Sequence, residues 1–160
     1  MTPEHHYSVD VEWLGNRGTG TSHYLDYGRQ GLLTAAGKHD IEVSADKTFH
    51  GDRDRWNPEE LLLAALAECH MLSFLHVAVL HGLVVTAYTD AATGTMVQQG
   101  DGGRFTSAEL HPVITLAVAE GAASPSEEEF AALHREAAEK CFIANSVNFP
   151  VGHSPRLVVA

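Results

Sequence analysis

The chain opens with a weak alternation of apolar and polar residues, "YSVDVEWL" at 7–14, which predicts a strand. The Gly-rich "GNRGTG" at 15–20 predicts a hairpin turn, and "TSHYLDYG" at 21–28 its returning strand. "HDIEVSAD" at 39–46 predicts a third short strand, while "HGDRDRW" at 50–56 is polar and loop-like. Asn57 then starts the clearest element. Its side chain suits an N-cap, Pro58 fits the first helical position, and Glu60 completes a capping box. Neither glycine nor proline interrupts the run to His81, and Gly82 is a natural stop. The resulting helix, roughly 36 Å long at about 1.5 Å per residue, is apolar nearly all round from Leu61 to Leu80. It must be covered on most sides, in a core or an interface.

Downstream, "LVVTAYTD" (83–90), "GTMVQQ" (94–99) and "GRFTSAELHPVITLAVA" (103–119) predict three strands, with Pro112 marking an edge or a bulge. "SPSEEEFAALHREAAEKCFIA" (124–144) predicts a second helix, with Ser124 as cap, Pro125 at N1 and Glu127 at N3. "RLVVA" closes the chain as a last strand. The order βββ-α-βββ-α-β indicates an α+β fold, and 160 residues without a linker or repeat suit a single domain over 1–160.

Charge narrows the partners. A net charge of −11 repels a phosphate backbone or an anionic bilayer, so neither nucleic acid nor membrane is expected. The N-terminal segment lacks the apolar stretch of a signal peptide, and the apolar run "LLLAALA" is short for a span. A reducing cytoplasm is therefore expected, where two cysteines are catalytic, metal-binding or incidental rather than a permanent staple. Eleven histidines raise the question of zinc, but none sits in a metal-ligand spacing, and they read as scattered packing and surface residues.

The two cysteines are Cys69, within the apolar helix, and Cys141, near the end of the second. Taken alone, each is by default a small buried hydrophobe. A reactive thiol needs a cation, a helix N-terminus or a hydrogen bond to lower its pKa, and no cation lies within one helical turn of Cys69.

Their surroundings change the picture. "NPEELLLAALAEC" resembles the central-helix signature of the OsmC/Ohr family, the osmotically induced and organic-hydroperoxide-resistance proteins, with Glu59 ten residues before Cys69. "CFIAN" resembles the family's second cysteine motif, giving Cys141 and Asn145, and "WLGNRGTGT" its first hairpin. Departures mark a divergent branch. Phe142 stands where the family usually has proline after the second cysteine, and His70 follows Cys69 in place of the usual phenylalanine. The family arginine is matched in the first hairpin by Arg17, with Arg29, Arg53 and Arg55 as further candidates.

The resemblance implies an OsmC-like fold, antiparallel sheets around a long central helix, in an intertwined homodimer with composite sites at the interface. Spacing agrees: ten helical residues span about 15 Å, so Glu59 cannot reach Cys69 of its own helix. Two copies crossing antiparallel near Ala64, Ala65 and Ala67 would bring one chain's Glu59 to the other's Cys69. The implied chemistry is reduction of hydroperoxides. A Cys69 thiolate, steadied by an arginine that Glu59 holds, becomes a sulfenic acid, and Cys141 closes it to a disulfide. The implied donor is an external dithiol such as protein-bound lipoamide; no metal, flavin or haem is needed. Leu66, His70 and Phe74 are expected to line the substrate pocket, with His70 as a candidate proton donor. Two other classes stay open: a ligand-binding protein that kept the fold, and a cysteine hydrolase using His70 or His153.

Overall fold

The first helix begins as its capping residues dictate. In the computed structural model, which describes residues 2–118 and 123–159, the Glu60 N–H donates to Asn57 Oδ1 at 2.8 Å. The Asn57 N–H donates back to Glu60 Oε2 at 3.3 Å, and the two bonds satisfy groups that a helix start leaves open. Helix α1 (Pro58–Leu80) ends at Gly82, whose φ of 70° is the left-handed conformation that glycine adopts without a Cβ penalty.

The chain divides into two compact units, one up to Leu62 and one from Leu63 onward. The first holds a three-stranded antiparallel sheet, β1 (Asp10–Trp13), β2 (Gly31–Thr34) and β3 (Ile41–Val43), in the order β1-β2-β3. The strand expected at 21–28 does not form; residues 14–30 close into a loop instead. The Gly28 N–H donates to the Gly15 carbonyl at 2.8 Å, and Trp13 Nε1 to the Gly28 carbonyl at 2.9 Å. Tyr24 and Tyr27 instead place their rings against the Arg29 guanidinium, at 4.5 and 4.2 Å from its carbon.

The second unit carries two three-stranded sheets. One has the order β4 (Val84–Asp90), β7 (Pro112–Ala117), β9 (Arg156–Val159); the other β5 (Thr93–Gln99), β6 (Gly102–Leu110), β8 (Val151–His153). The β4–β7 and β5–β6 pairs are antiparallel, but β9 joins β7, and β8 joins β6, in parallel. Both sheets are therefore mixed. The parallel partners need a crossover, and α2 (Glu127–Lys140) lies in it.

The stretch 103–119, read as one strand, breaks at His111, whose N–H donates to the Asp90 carboxylate at 2.8 Å. Pro112 is neither at an edge nor at a bulge. It opens the central strand β7, where a strand's first residue can do without its N–H. Helix α2 starts two residues later than expected. Ser126, not Ser124, caps it and closes a box with Glu129.

Length and composition alone would let α1 cross a membrane. In this chain, however, Leu66, His70, Phe74, Val77 and Ala78 form a buried stripe at helical spacing. Phe74, Val77 and Ala78 pack with Ile114, Leu116, Phe130, Leu133 and Ala137 in one cluster that ties α1 to α2 and β7.

Candidate functional site

The two cysteines meet. Cys69 is half-buried on α1 and Cys141 is fully buried at the C-cap of α2, and both are free thiols. Burial and then a side-chain hydrogen bond to Cys69 push the Cys141 thiol up to about 11. The Ala144 N–H, 3.4 Å from Cys141 Sγ, works in the opposite direction. Cys141 is thus held as a thiol at neutral pH, beneath a more accessible partner.

Local chemistry explains the placement. At Cys141 the chain leaves the helix into an extended conformation, φ −78° and ψ 105°. The Asn145 side chain donates to the Glu139 carbonyl at 3.0 Å, satisfying one of the carbonyls left open at the helix end. The Cys-x-x-x-Asn spacing is, in physical terms, a helix-end lock that fixes the thiol. Phe142 is 75% exposed, so the side chain in the expected proline position points into solvent.

In the first unit, Glu59 lies at the start of α1 with Oε2 buried and without a hydrogen-bond partner. Arg55 Nη1 is in the same condition, while its Nη2 donates to Glu42 at 3.2 Å. Arg17 is exposed at the tip of the first loop, beside Asn16, whose side chain accepts the Gly18 and Gly20 N–H groups. Arg29 is committed. Its two terminal nitrogens donate to the Tyr27 and Tyr24 carbonyls at 2.6 and 2.8 Å, and its carbon lies over both rings, which are edge-to-face with each other. It is built as a loop brace.

Leu66, His70 and Phe74 do not line an open pocket. They are 0%, 1% and 0% exposed, because the helix face that carries them is the one turned into the core. His70 is joined there by two residues that sequence spacing did not connect. Its Nε2 is 3.0 Å from His134 Nδ1, and its ring lies 4.2 Å from that of His153. The available signal was the four-residue spacing of His70 and Phe74 on one helix and of Phe130 and His134 on the other, which places each pair on one face. Among the described residues no group of three or more His, Cys, Asp or Glu is arranged to hold a metal ion.

A family model described as OsmC-like protein matches residues 50–154, a stretch that contains both cysteines and Glu59. The chain belongs to the OsmC-like family. An OsmC-like protein of unknown function from Vibrio cholerae is 29% identical, superposes with a TM-score of 0.83, and covers 95% of this chain and 99% of its own. An organic hydroperoxide resistance protein from Legionella pneumophila shares the fold at 18% identity and a TM-score of 0.67, over 96% of this chain and 98% of its own. Another from Elizabethkingia anophelis, with thiocyanate bound, does so at 19% identity and 0.68, over 99% and 100%. No curated protein matches the chain. The OsmC-like α+β architecture is thus established.

Proposed function

We propose that this OsmC-like protein is a cytoplasmic thiol peroxidase that reduces organic hydroperoxides, and to a lesser extent hydrogen peroxide, as part of oxidative-stress defence. The observation that carries the reading is the contact between two free thiols of unequal exposure, in a family whose solved members include organic hydroperoxide resistance proteins. The half-exposed Cys69 is the thiol a hydroperoxide can reach. As a thiolate it attacks the distal oxygen; the O–O bond breaks, the alkoxide takes a proton and leaves as alcohol, and Cys69 becomes a sulfenic acid. The Cys141 sulfur then attacks the Cys69 sulfur, losing its own proton, and water leaves as the disulfide forms. An external dithiol, of the lipoamide type, takes the two oxidising equivalents. The high pKa of Cys141 suits this order, since it keeps the second thiol unreactive until its neighbour is oxidised.

The dimer belongs to the same proposal. Leu72, Val79 and Leu80 of α1 are 55%, 73% and 60% exposed, an apolar surface that a second copy would cover. Crossing the two α1 helices at their alanines would bring one copy's Glu59 to the other's Cys69, with Glu59 holding Arg17 to steady the thiolate and the developing charge on the peroxide oxygens. We assign Arg17 rather than Arg29, whose terminal nitrogens both hold loop carbonyls. A cysteine hydrolase fits poorly, because His70 is turned into the core and bonded to His134, and His153 packs on His70 with its Nε2 buried. With dihydrolipoamide as donor, cumene hydroperoxide consumption is expected from the unaltered protein, none from Cys69→Ser, and a single turnover from Cys141→Ser. Undiminished consumption by Cys69→Ser would overturn the reading.

A further inference from the structure

The helix pair α1–α2 is joined by two polar layers. One is the cysteine pair. The other is a set of three imidazoles, His70 from α1, His134 from α2 and His153 from β8, with His70 and His134 1% and 2% exposed. Cys69 and His70 are consecutive on α1. His134 and Cys141 are seven residues apart, two turns along one face of the second helix. The imidazole contact and the thiol contact therefore depend on the same helix–helix approach.

The proton count of this cluster is tight. The His70–His134 bond uses one nitrogen of each ring. His70 Nδ1, His134 Nε2 and His153 Nε2 are all buried without a partner. A protonated imidazole donates from both nitrogens, so charging either His70 or His134 leaves a charged N–H out of water with nothing to accept it. The faces of Phe74 and the edge of Phe130 close the other side of His134, at 4.2 and 4.8 Å between ring centres. The carboxylates that act on the cluster do so at His153. Asp90 and Glu109 act on His153 electrostatically, Asp90 also interacts with His111 and Tyr88, and Glu109 accepts the Ser154 hydroxyl. Burial outweighs those carboxylates at His153, and it holds His70 and His134 down to about 3 and about 4.

We propose that His70, His134 and His153 form a proton-sensitive clamp: neutral, it holds α1 on α2 and keeps the Cys141 thiol closed beneath Cys69; on taking up protons it releases the helix pair and exposes that thiol. The chemistry follows from linkage. In the opened state the imidazoles regain their ordinary affinity near 6.5, whereas in the closed state they stay neutral. Two such groups raise the open population by about a hundredfold between pH 7.5 and pH 5.5. The clamp does not depend on what the thiols react with, and its test contains no hydroperoxide, so it stands or falls separately from the peroxidase reading.

The test uses Cys69→Ser protein, in which Cys141 is the single thiol. Its rate of modification by 4,4′-dithiodipyridine, a reagent that works in acid, is divided by that of glutathione at each pH. A rise of about a hundredfold from pH 7.5 to 5.5 is expected, falling to about tenfold or less when His70→Asn and His134→Gln are added and His153 alone remains. A flat profile in the Cys69→Ser protein, or an equal rise with the histidines removed, would overturn the clamp. Should the chain carrying His70→Asn and His134→Gln fail to fold, hydrogen exchange in the unaltered protein decides, after correction for intrinsic pH dependence. Loss of protection concentrated in α1 and α2 supports the clamp; unchanged protection there, or a loss equally large in β1–β3, overturns it.

Discussion

Replacing Phe74 separates a core role from a substrate-pocket role more sharply than any other single change. Its ring is fully buried, stacked on His134 at 4.2 Å, edge-on to Phe130 at 5.9 Å and tilted to Tyr88 at 6.1 Å. Phe74→Ala removes the whole ring from a site whose neighbours belong to two helices and two strands, so little collapse can refill it. Such truncations cost about 3–5 kcal/mol, a large share of the roughly 5–15 kcal/mol by which domains are stable. Phe74→Leu keeps most of the volume and costs about 1.5 kcal/mol or less. Urea unfolding followed by circular dichroism, with the slope compared to confirm that the unfolded state is unchanged, measures both. Below the unfolding transition, the Phe74→Leu protein is expected to keep its hydroperoxide KM. A stability loss under about 1 kcal/mol for Phe74→Ala, together with a raised KM, would show that the ring faces substrate and that the buried-stripe account is wrong.

Three further outcomes follow from single sites. Iodoacetamide at pH 8 is expected to label Cys69 well ahead of Cys141: Cys141 is fully buried and its thiol is pushed up to about 11, whereas Cys69 is half-buried, and peptide mapping of partially labelled protein reads the ratio. Arg29→Lys keeps the charge but loses the fork that bridges two carbonyls beneath two tyrosine rings. It should loosen the 14–30 loop, read as faster proteolysis there, with an effect on the thiol reaction much smaller than that of Arg17→Ala. Ser126→Ala should cost about 1 kcal/mol of stability by removing one side of a closed capping box, whereas Ser124→Ala should cost almost nothing; equal effects would contradict the observed helix start.

That last pair shows where sequence stops. The start of α1 was legible because Asn57, Pro58 and Glu60 offer one register for a capping box. At α2 two registers compete, since Ser124 and Ser126 each have a glutamate three residues on, and the choice is made by the box that closes. The loop at 21–28 looked like a strand because Tyr24, Leu25 and Tyr27 are strand-forming residues. Two of them, Tyr24 and Tyr27, pack instead against Arg29, five and two residues on. The approach of Cys69 to Cys141 was legible only through family resemblance, as a pairing across 72 positions leaves no local periodicity. The histidine cluster left only a faint trace, the four-residue spacings that put His70 with Phe74 and Phe130 with His134 on single faces; its members come from a helix, a second helix and a three-residue strand, and only packing brings them together.

The central claim is that these two thiols form a redox pair, and one titration tests it most directly. Reduced protein receives one equivalent of cumene hydroperoxide, free thiols are counted, and any crosslink is mapped by peptide mass. The account requires rapid loss of both thiols with an intrachain Cys69–Cys141 bond. Two thiols unchanged after minutes would contradict it.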